Sequence, residues 1–388
     1  MRRRGQTPAI TMRIAILADY PLHTIDKLSV PPPTGHYATW LPQLSAAFSS
    51  NAPGELHWIV VSRNQSLPQS IQWQNQTFHF IHEPGRFRAL FGFRRESRQI
   101  AKLLDAIRPD LVHAWGTEAS YALAAKRSGR RFLLSMQGLL SHYVRVAPMH
   151  PLVRLQAWYE RQVFRATKHA TVESRWGERI LREWLPTADL RRVEYGVQER
   201  FFDHAWVPDP ERPVALFVGS IDQRKGIQDA IEAFRNPSLA DRSLRIIGQP
   251  ANPWGQALRT HSSPNTKWLG RLTPEETAAE MARAWCLVLP TRADTSPNVV
   301  KEARVIGLPV ISTPDGGQSD YIEEGKNGYL IAPGDTRRLV EALQLTLSNV
   351  STAQALGAWR HAEQREFFRP ERTAQNFAGV YKALADQP

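Results

Sequence analysis

The stretch Leu289-Pro290-Thr291-Arg292-Ala293-Asp294-Thr295-Ser296-Pro297-Asn298-Val299-Val300-Lys301-Glu302-Ala303 reads as the end of a buried strand, a short polar loop and the start of a helix. Just upstream, Trp285-Cys286-Leu287-Val288 is an unbroken apolar run, the pattern of a strand covered on both faces. Ser296-Pro297 predicts the helix start, with serine as the cap and proline at the first position, where a missing N–H costs nothing. The amides of Asn298 and Val299 then lack helical partners, and with the helix dipole they form a ready phosphate site. Glu302 lies four residues beyond Asn298 and three beyond Val299, on their face of the helix, while Asp294 hangs from the loop above. Carboxylates beside a phosphate site suit the hydroxyls of a sugar or a ribose. A solvated loop acid and a helix-face acid have the same spacing, so the reading rests on their placement behind a buried strand.

Outward from this unit the chain alternates strands and helices. Strands are expected at Val214–Val218, Leu244–Ile247, Trp285–Leu289, Val310–Thr313 and Tyr329–Ile331, separated by helices at Ile227–Phe234, Pro274–Ala284, Asn298–Ile306 and Thr336–Leu347. Thr273-Pro274-Glu275-Glu276 carries the signature of a capping box. A first series runs Arg13–Ala18, Leu56–Ser62, Phe78–His82, Leu111–Ala114, Phe132–Met136 and Ala170–Glu173, with an amphipathic helix over Ala38–Phe48. The two series are parted by the proline-rich Val207-Pro208-Asp209-Pro210-Glu211-Arg212-Pro213. The βαβ rhythm predicts α/β architecture with two doubly wound parallel sheets in series, whose strand C-termini share a crevice where such folds bind ligands.

The 388 residues suffice for two ordinary cores, and 42% hydrophobic with 22% charged residues is a globular balance. One cysteine, Cys286, excludes an internal disulfide, and its apolar surroundings predict a buried thiol. No run of about 18 apolar residues predicts a membrane-spanning helix, and no signal-peptide core opens the chain, so a cytosolic location is the expectation. Residues 1–11 read as a basic tail ahead of the first strand, with Met12 as an alternative start. The formal charge of +12 favours anionic partners without choosing among phosphorylated small molecules, lipid headgroups and nucleic acid.

A second chemical element is Phe217-Val218-Gly219-Ser220-Ile221-Asp222-Gln223-Arg224-Lys225-Gly226-Ile227. A buried strand runs into a loop that offers two cations before the next helix, and Gly226 lets backbone approach closely. The loop lacks the Lys-Ser/Thr ending of a triphosphate-binding P-loop and the three-glycine dinucleotide fingerprint, which argues against kinase and dehydrogenase readings.

Taken in order, Val218-Gly219…Lys225-Gly226, Ile247-Gly248, Leu269-Gly270, Leu289-Pro290-Thr291, Asp294…Pro297-Asn298-Val299-Val300…Glu302-Ala303, Gly307-Leu308-Pro309-Val310-Ile311 and Gly316-Gly317 resemble the donor domain of family-4 retaining glycosyltransferases of the GT-B fold. The resemblance is clear over about residues 214 to 347 and fainter before them. It implies two Rossmann-like domains facing a central cleft, with Lys225 on the donor diphosphate and Asp294 and Glu302 as the paired acids. The first of these acids would meet the transferred sugar and the second the ribose. It also implies donor contacts from Gly219, Ser220, Arg224, Ser296 and the main chain of Pro297 to Val300, including Asn298 and Val299, with Arg271 and Leu272 near the nucleobase. Gly35, after Pro31-Pro32-Pro33-Thr34, stands where the family keeps a glycine-rich phosphate loop.

Four positions depart from the family pattern. Asp294 replaces a glutamate, Ser220 an arginine, Gln137-Gly138 a histidine-glycine pair, and Tyr195-Gly196-Val197 an Asn-Gly-Val. His113, at a strand end, and Gln137 with Gly138 are candidates for the acceptor or sugar side of the cleft, although His113 also fits a buried structural role. The resemblance divides the chain into an acceptor domain at 12–206, a donor domain at 207–365 and a terminal helix at 366–388 that crosses back to the first.

The expected reaction moves a sugar from a nucleotide-diphosphate sugar to a glycan, lipid-linked or small-molecule acceptor, in polysaccharide or glycoconjugate biosynthesis, with retention and with no metal or other cofactor. A non-catalytic sugar-binding scaffold, an epimerase and a phosphorylase remain as rivals. Residues 86–98 interleave Arg86, Arg88, Arg94, Arg95 and Arg98 with Phe87, Leu90, Phe91 and Phe93, which suits either an anionic membrane surface or a solvated helix start. No nucleic-acid recognition motif accompanies the charge.

Overall fold

The computed structural model describes residues 12–31, 40–83, 85, 87–250 and 252–387. The first lobe holds β1 (Arg13–Leu17), β2 (Glu55–Ser62), β3 (Ser70–Trp73), β4 (Gln76–His82), β5 (Leu111–Trp115), β6 (Phe132–Ser135), β7 (His169–Val172) and β8 (Asp189–Arg192). They form one sheet in the order β3-β4-β2-β1-β5-β6-β7-β8, parallel except for the β3–β4 pair. The second lobe holds β9 (Val214–Val218), β10 (Ser243–Ile247), β11 (Thr266–Gly270), β12 (Cys286–Leu289), β13 (Val310–Ser312) and β14 (Gly328–Leu330). Its six strands lie wholly parallel in the order β11-β10-β9-β12-β13-β14. The architecture is that of GT-B, two Rossmann-like sheets in one chain.

The apolar runs became central strands because helices cover both sheet faces. β12 is buried at every residue, Cys286 included, and the second-lobe core joins Phe217, Leu216, Leu287 and Val288 to Ala230, Val300 and Leu343 from the flanking helices. The capping box at Thr273 is present, with Glu276 returning the bond. Three strands went unforeseen: β3, β8 and β11. All three are sheet edges, where one side of the ladder meets solvent and an unbroken apolar run is not needed.

The last helix, Pro370–Ala385, packs on the first lobe rather than the second. Phe377, Tyr381 and Leu384 are buried there against Phe48, Trp58 and Trp115, each side chain contributing roughly 1.5–3 kcal/mol by burial. Chain passage back to the first lobe is tight: Val197 N–H donates to Phe368 O at 3.0 Å, and a Cβ on Gly196 would meet Pro370 Cα at 2.6 Å.

Candidate active site

Each sheet reverses its strand order once, between β1 and β5 in the first lobe and between β9 and β12 in the second. Loops leaving two such strands diverge and open a crevice. In the second lobe these are the loop from Gly219 to Gly226 and the loop from Pro290 to Pro297, the two segments singled out by their sequence.

The first loop is shaped by Asp222, whose carboxylate accepts from Lys225 N–H at 2.9 Å and caps the 3-10 turn Gln223–Lys225. Ser220 spends its hydroxyl on the other Asp222 oxygen at 2.5 Å. Gly226 has φ +72°, and a Cβ there would stand 1.8 Å from Pro290 O. The residue must therefore be glycine for the loops to touch, as they do through Arg292 N–H to Arg224 O at 2.7 Å. That contact delivers Lys225 and Arg224 to Asp294. The Lys225 ammonium pairs directly with the Asp294 carboxylate, and Arg224 stands 3.5 Å from the same oxygen while donating to Ala293 O at 2.8 Å. Burial would raise the Asp294 carboxyl, but Lys225 and then Arg224 outweigh it and hold it below the usual carboxylate range.

The helix Asn298–Ile306 begins one residue later than Ser296-Pro297 suggests. Pro297 occupies the cap position and no side chain caps the helix. Ser296 turns away, its hydroxyl 3.1 Å from Glu194 Oε1 and 2.9 Å from Tyr321 OH. The cause is physical: the half-buried Glu194 carboxylate of the first lobe competes for the hydroxyl. It leaves the Asn298 and Val299 amides without a capping side chain, open to an anion. Glu302, one turn on, has no hydrogen-bond partner among the described residues, and burial pushes its carboxyl up to about 7 against the lowering by Lys301. Glycine again permits the packing behind Asp294, where Gly317 N–H donates to Asp294 O at 2.8 Å and a Cβ on Gly317 would meet Thr295 O at 2.1 Å.

Other candidates separate into those at the crevice and those away from it. Gly219 is open, with nothing closer than 3.8 Å to a Cβ built there. Arg271 and Leu272 follow β11 on the same sheet edge, two strands from β9. Gln137 and Gly138 follow β6, and Gly138 N–H donates to Glu118 Oε1 at 2.8 Å. His113 does not face the crevice. It is buried beneath the terminal helix, its ring nitrogens 2.7 Å from Tyr381 OH and from Ser135 Oγ, and burial pushes its pKa down to about 3. Gly35 and Arg86 lie outside the described residues.

The first lobe contributes groups that the sequence did not single out. Tyr143 OH receives Thr295 N–H at 3.1 Å and contacts Thr295 Oγ1 at 2.8 Å, and the Arg224 guanidinium lies 4.7 Å from the Tyr143 ring centre. Glu118 is buried and pushed up to about 7 by desolvation, with the Thr117 and Gly138 amides working against that rise. Lys301, fully buried, donates to Glu173 at 2.6 Å, Glu194 at 3.3 Å and the Tyr195 carbonyl at 3.2 Å. Burial and the Glu194 charge raise Glu173, while Lys301 pulls it the other way. Lys301 and Tyr143 clamp the helix Asn298–Ile306 and the loop before it to the first lobe, together with Ser174 Oγ on Thr295 O at 2.5 Å.

Two facing Rossmann-like sheets, with cations and an uncapped helix at the second switch point, define a GT-B glycosyltransferase frame. Residues 198–359 match the family "Glycosyl transferases group 1", residues 46–200 match "Glycosyltransferase Family 4", and the chain belongs to the family-4 glycosyltransferases. Sulfoquinovosyl transferase SQD2 of Arabidopsis thaliana is 28% identical over 165 residues, 41% of this chain and 31% of that protein. The colanic acid biosynthesis glycosyltransferase WcaL of Escherichia coli K12 is 24% identical over 318 residues, 76% of this chain and 77% of WcaL. A sucrose-phosphate synthase from Thermosynechococcus elongatus superposes with a TM-score of 0.76 at 18% identity, over 96% of this chain and 99% of the other.

Proposed function

We propose that the protein transfers a glycosyl group from a nucleoside-diphosphate sugar to a glycan, lipid-linked or small-molecule acceptor, with retention of anomeric configuration, in polysaccharide or glycoconjugate assembly. The observation that carries this reading is the switch-point cluster: Lys225 and Arg224 converging on one carboxylate beside an uncapped helix start and a partnerless Glu302. A diphosphate entering there would replace Asp294 as counter-ion to both cations and receive the Asn298 and Val299 amides. Glu302 would accept from ribose hydroxyls, and Asp294, released from Lys225, from hydroxyls of the sugar. Negative charge grows on the departing phosphate as the anomeric C–O bond breaks, so fixed cations and amides lower that barrier. With two cations already in place, the proposal assigns no role to a metal. The acceptor oxygen bonds to the anomeric carbon on the face the diphosphate leaves, and its proton passes to a leaving-phosphate oxygen.

On the acceptor side the support is a cavity of about 340 Å³ at the first lobe's switch point, with Asp19 and Glu83 among its lining. Buried in its wall, Tyr20 OH and Ser120 Oγ have no partner among the described residues, as expected where ligand hydroxyls complete the bonding. The test is nucleotide release from a panel of nucleotide sugars in the absence of acceptor. Slow release from one donor is the expected outcome. Silence across the panel would favour a binding scaffold, and release only with inorganic phosphate a phosphorylase.

A further inference from the structure

A short turn, residues 87–93, separates two unlike surfaces of the first lobe. On its inner side Arg88 lines the polar cavity and bonds Glu83 at 3.4 Å and Glu96 at 3.1 Å. On its outer side Phe87 is 67% exposed, Leu90 59% and Phe91 72%. This inverts the usual loop, in which polar side chains face water and apolar ones turn in. Nor are the rings loose, because the turn is pinned from within: Arg127 donates to Gly92 O at 2.5 Å, and Ala89 and Phe93 are buried. Leu90 and Phe91 also wall an apolar groove of about 370 Å³ whose far side is Trp158, itself 48% exposed.

The rim of this patch is positive. Arg94, Arg95 and Arg98 are exposed on the helix Arg94–Ile107, Arg127 on the neighbouring helix and Arg154 on the helix Pro151–Phe164. The acids interspersed with them are buried and turned inward, Glu96 pairing through Oε1 with Arg88 and Glu160 accepting from Thr117, Leu140 and Ser141. Apolar side chains held outward within a ring of uncompensated arginines match the boundary of an anionic bilayer, where rings enter the headgroup layer and guanidinium groups meet lipid phosphates.

We propose that the first lobe docks on an anionic membrane through Phe87, Leu90, Phe91 and Trp158. Resting on the transferase reading above, this docking selects among its acceptors: the polar cavity lies across the same turn from the bilayer, so the acceptor is a lipid-borne headgroup. The full chain is sedimented with phosphatidylcholine vesicles, with and without phosphatidylglycerol. Binding is expected only where phosphatidylglycerol is present, falling as salt rises. The variant Phe87→Ser/Leu90→Ser/Phe91→Ser should bind at least about tenfold more weakly, and Arg94→Gln/Arg95→Gln/Arg98→Gln should lose the preference for anionic lipid. Equal binding of wild type and the serine variant, absence of binding at low salt, or self-association through the patch in place of vesicle binding overturns the proposal. Acceptor-free donor hydrolysis, expected unchanged in the serine variant, separates failure of docking from failure of the transferase reading.

Discussion

The two switch points of this molecule have the same topology and opposite finishes. In the second lobe the crevice is filled by its own charges: Lys225 and Arg224 are paired with Asp294, and the loops that carry them are hydrogen-bonded to each other. In the first lobe the crevice is an open polar cavity, with two buried hydroxyls unpartnered and Asp19 at its lining without a hydrogen bond among the described residues. Strand order places both sites, and the loops decide what each can hold. Two cations held this close would repel one another, and the Asp294 carboxylate between them offsets that repulsion. Unmade hydrogen bonds cost less than unpaired charges, so the first crevice tolerates its unpartnered hydroxyls without such a device.

The harshest way to break this contrast is Lys225→Ala. Donor kcat/KM, followed by nucleotide release, is expected to fall about a thousandfold, the scale of losing a fixed group that stabilises developing charge; a near-normal rate would remove the site assignment. Glu302 sharpens the contrast through pH. Its carboxyl titrates near 7, and only the charged form accepts strongly from ribose hydroxyls. Each pH unit below that value therefore removes about tenfold of the competent form, and donor KM should climb accordingly. In Glu302→Gln the KM should be about tenfold higher and flat across that range, and an unaltered profile would place the titrating group elsewhere. The mildest expected effect belongs to the first lobe: Asp19→Asn should leave donor hydrolysis unchanged while slowing transfer by a few-fold. Equal loss of both rates would erase the distinction between the crevices.

How much was legible follows from how local each feature is. The strand, loop and helix around Asp294 and Lys225 occupy short contiguous segments, and crossover topology alone brings them together. His113 has the look of a strand-end functional group, but its partner Tyr381 comes from a helix 268 residues later. Ser296 matches a cap, and only the fold reveals Glu194 taking its hydroxyl from 102 residues away. Lys301 reads as an ordinary helix-face lysine beside Glu302; nothing local says that two first-lobe carboxylates enclose it. Tyr143 meets Thr295 across 152 residues for the same reason. The features hidden from the sequence are those that one lobe supplies to the other.

Where the chain passes between lobes, near Gly196 and Pro370, the outgoing and returning segments touch and share a hydrogen bond. Two fastenings at one spot make a door post, where both crossings of the chain are held against each other. Glu194, two residues before the post, holds Ser296 and Lys301 beside it. Tyr143 with Thr295 and Arg175 N–H with Asp320 at 2.6 Å join the lobes again at points farther along the chain. A side chain at position 196 would wedge the post itself, so the single hydrogen of Gly196 is what lets the two crossings close on each other.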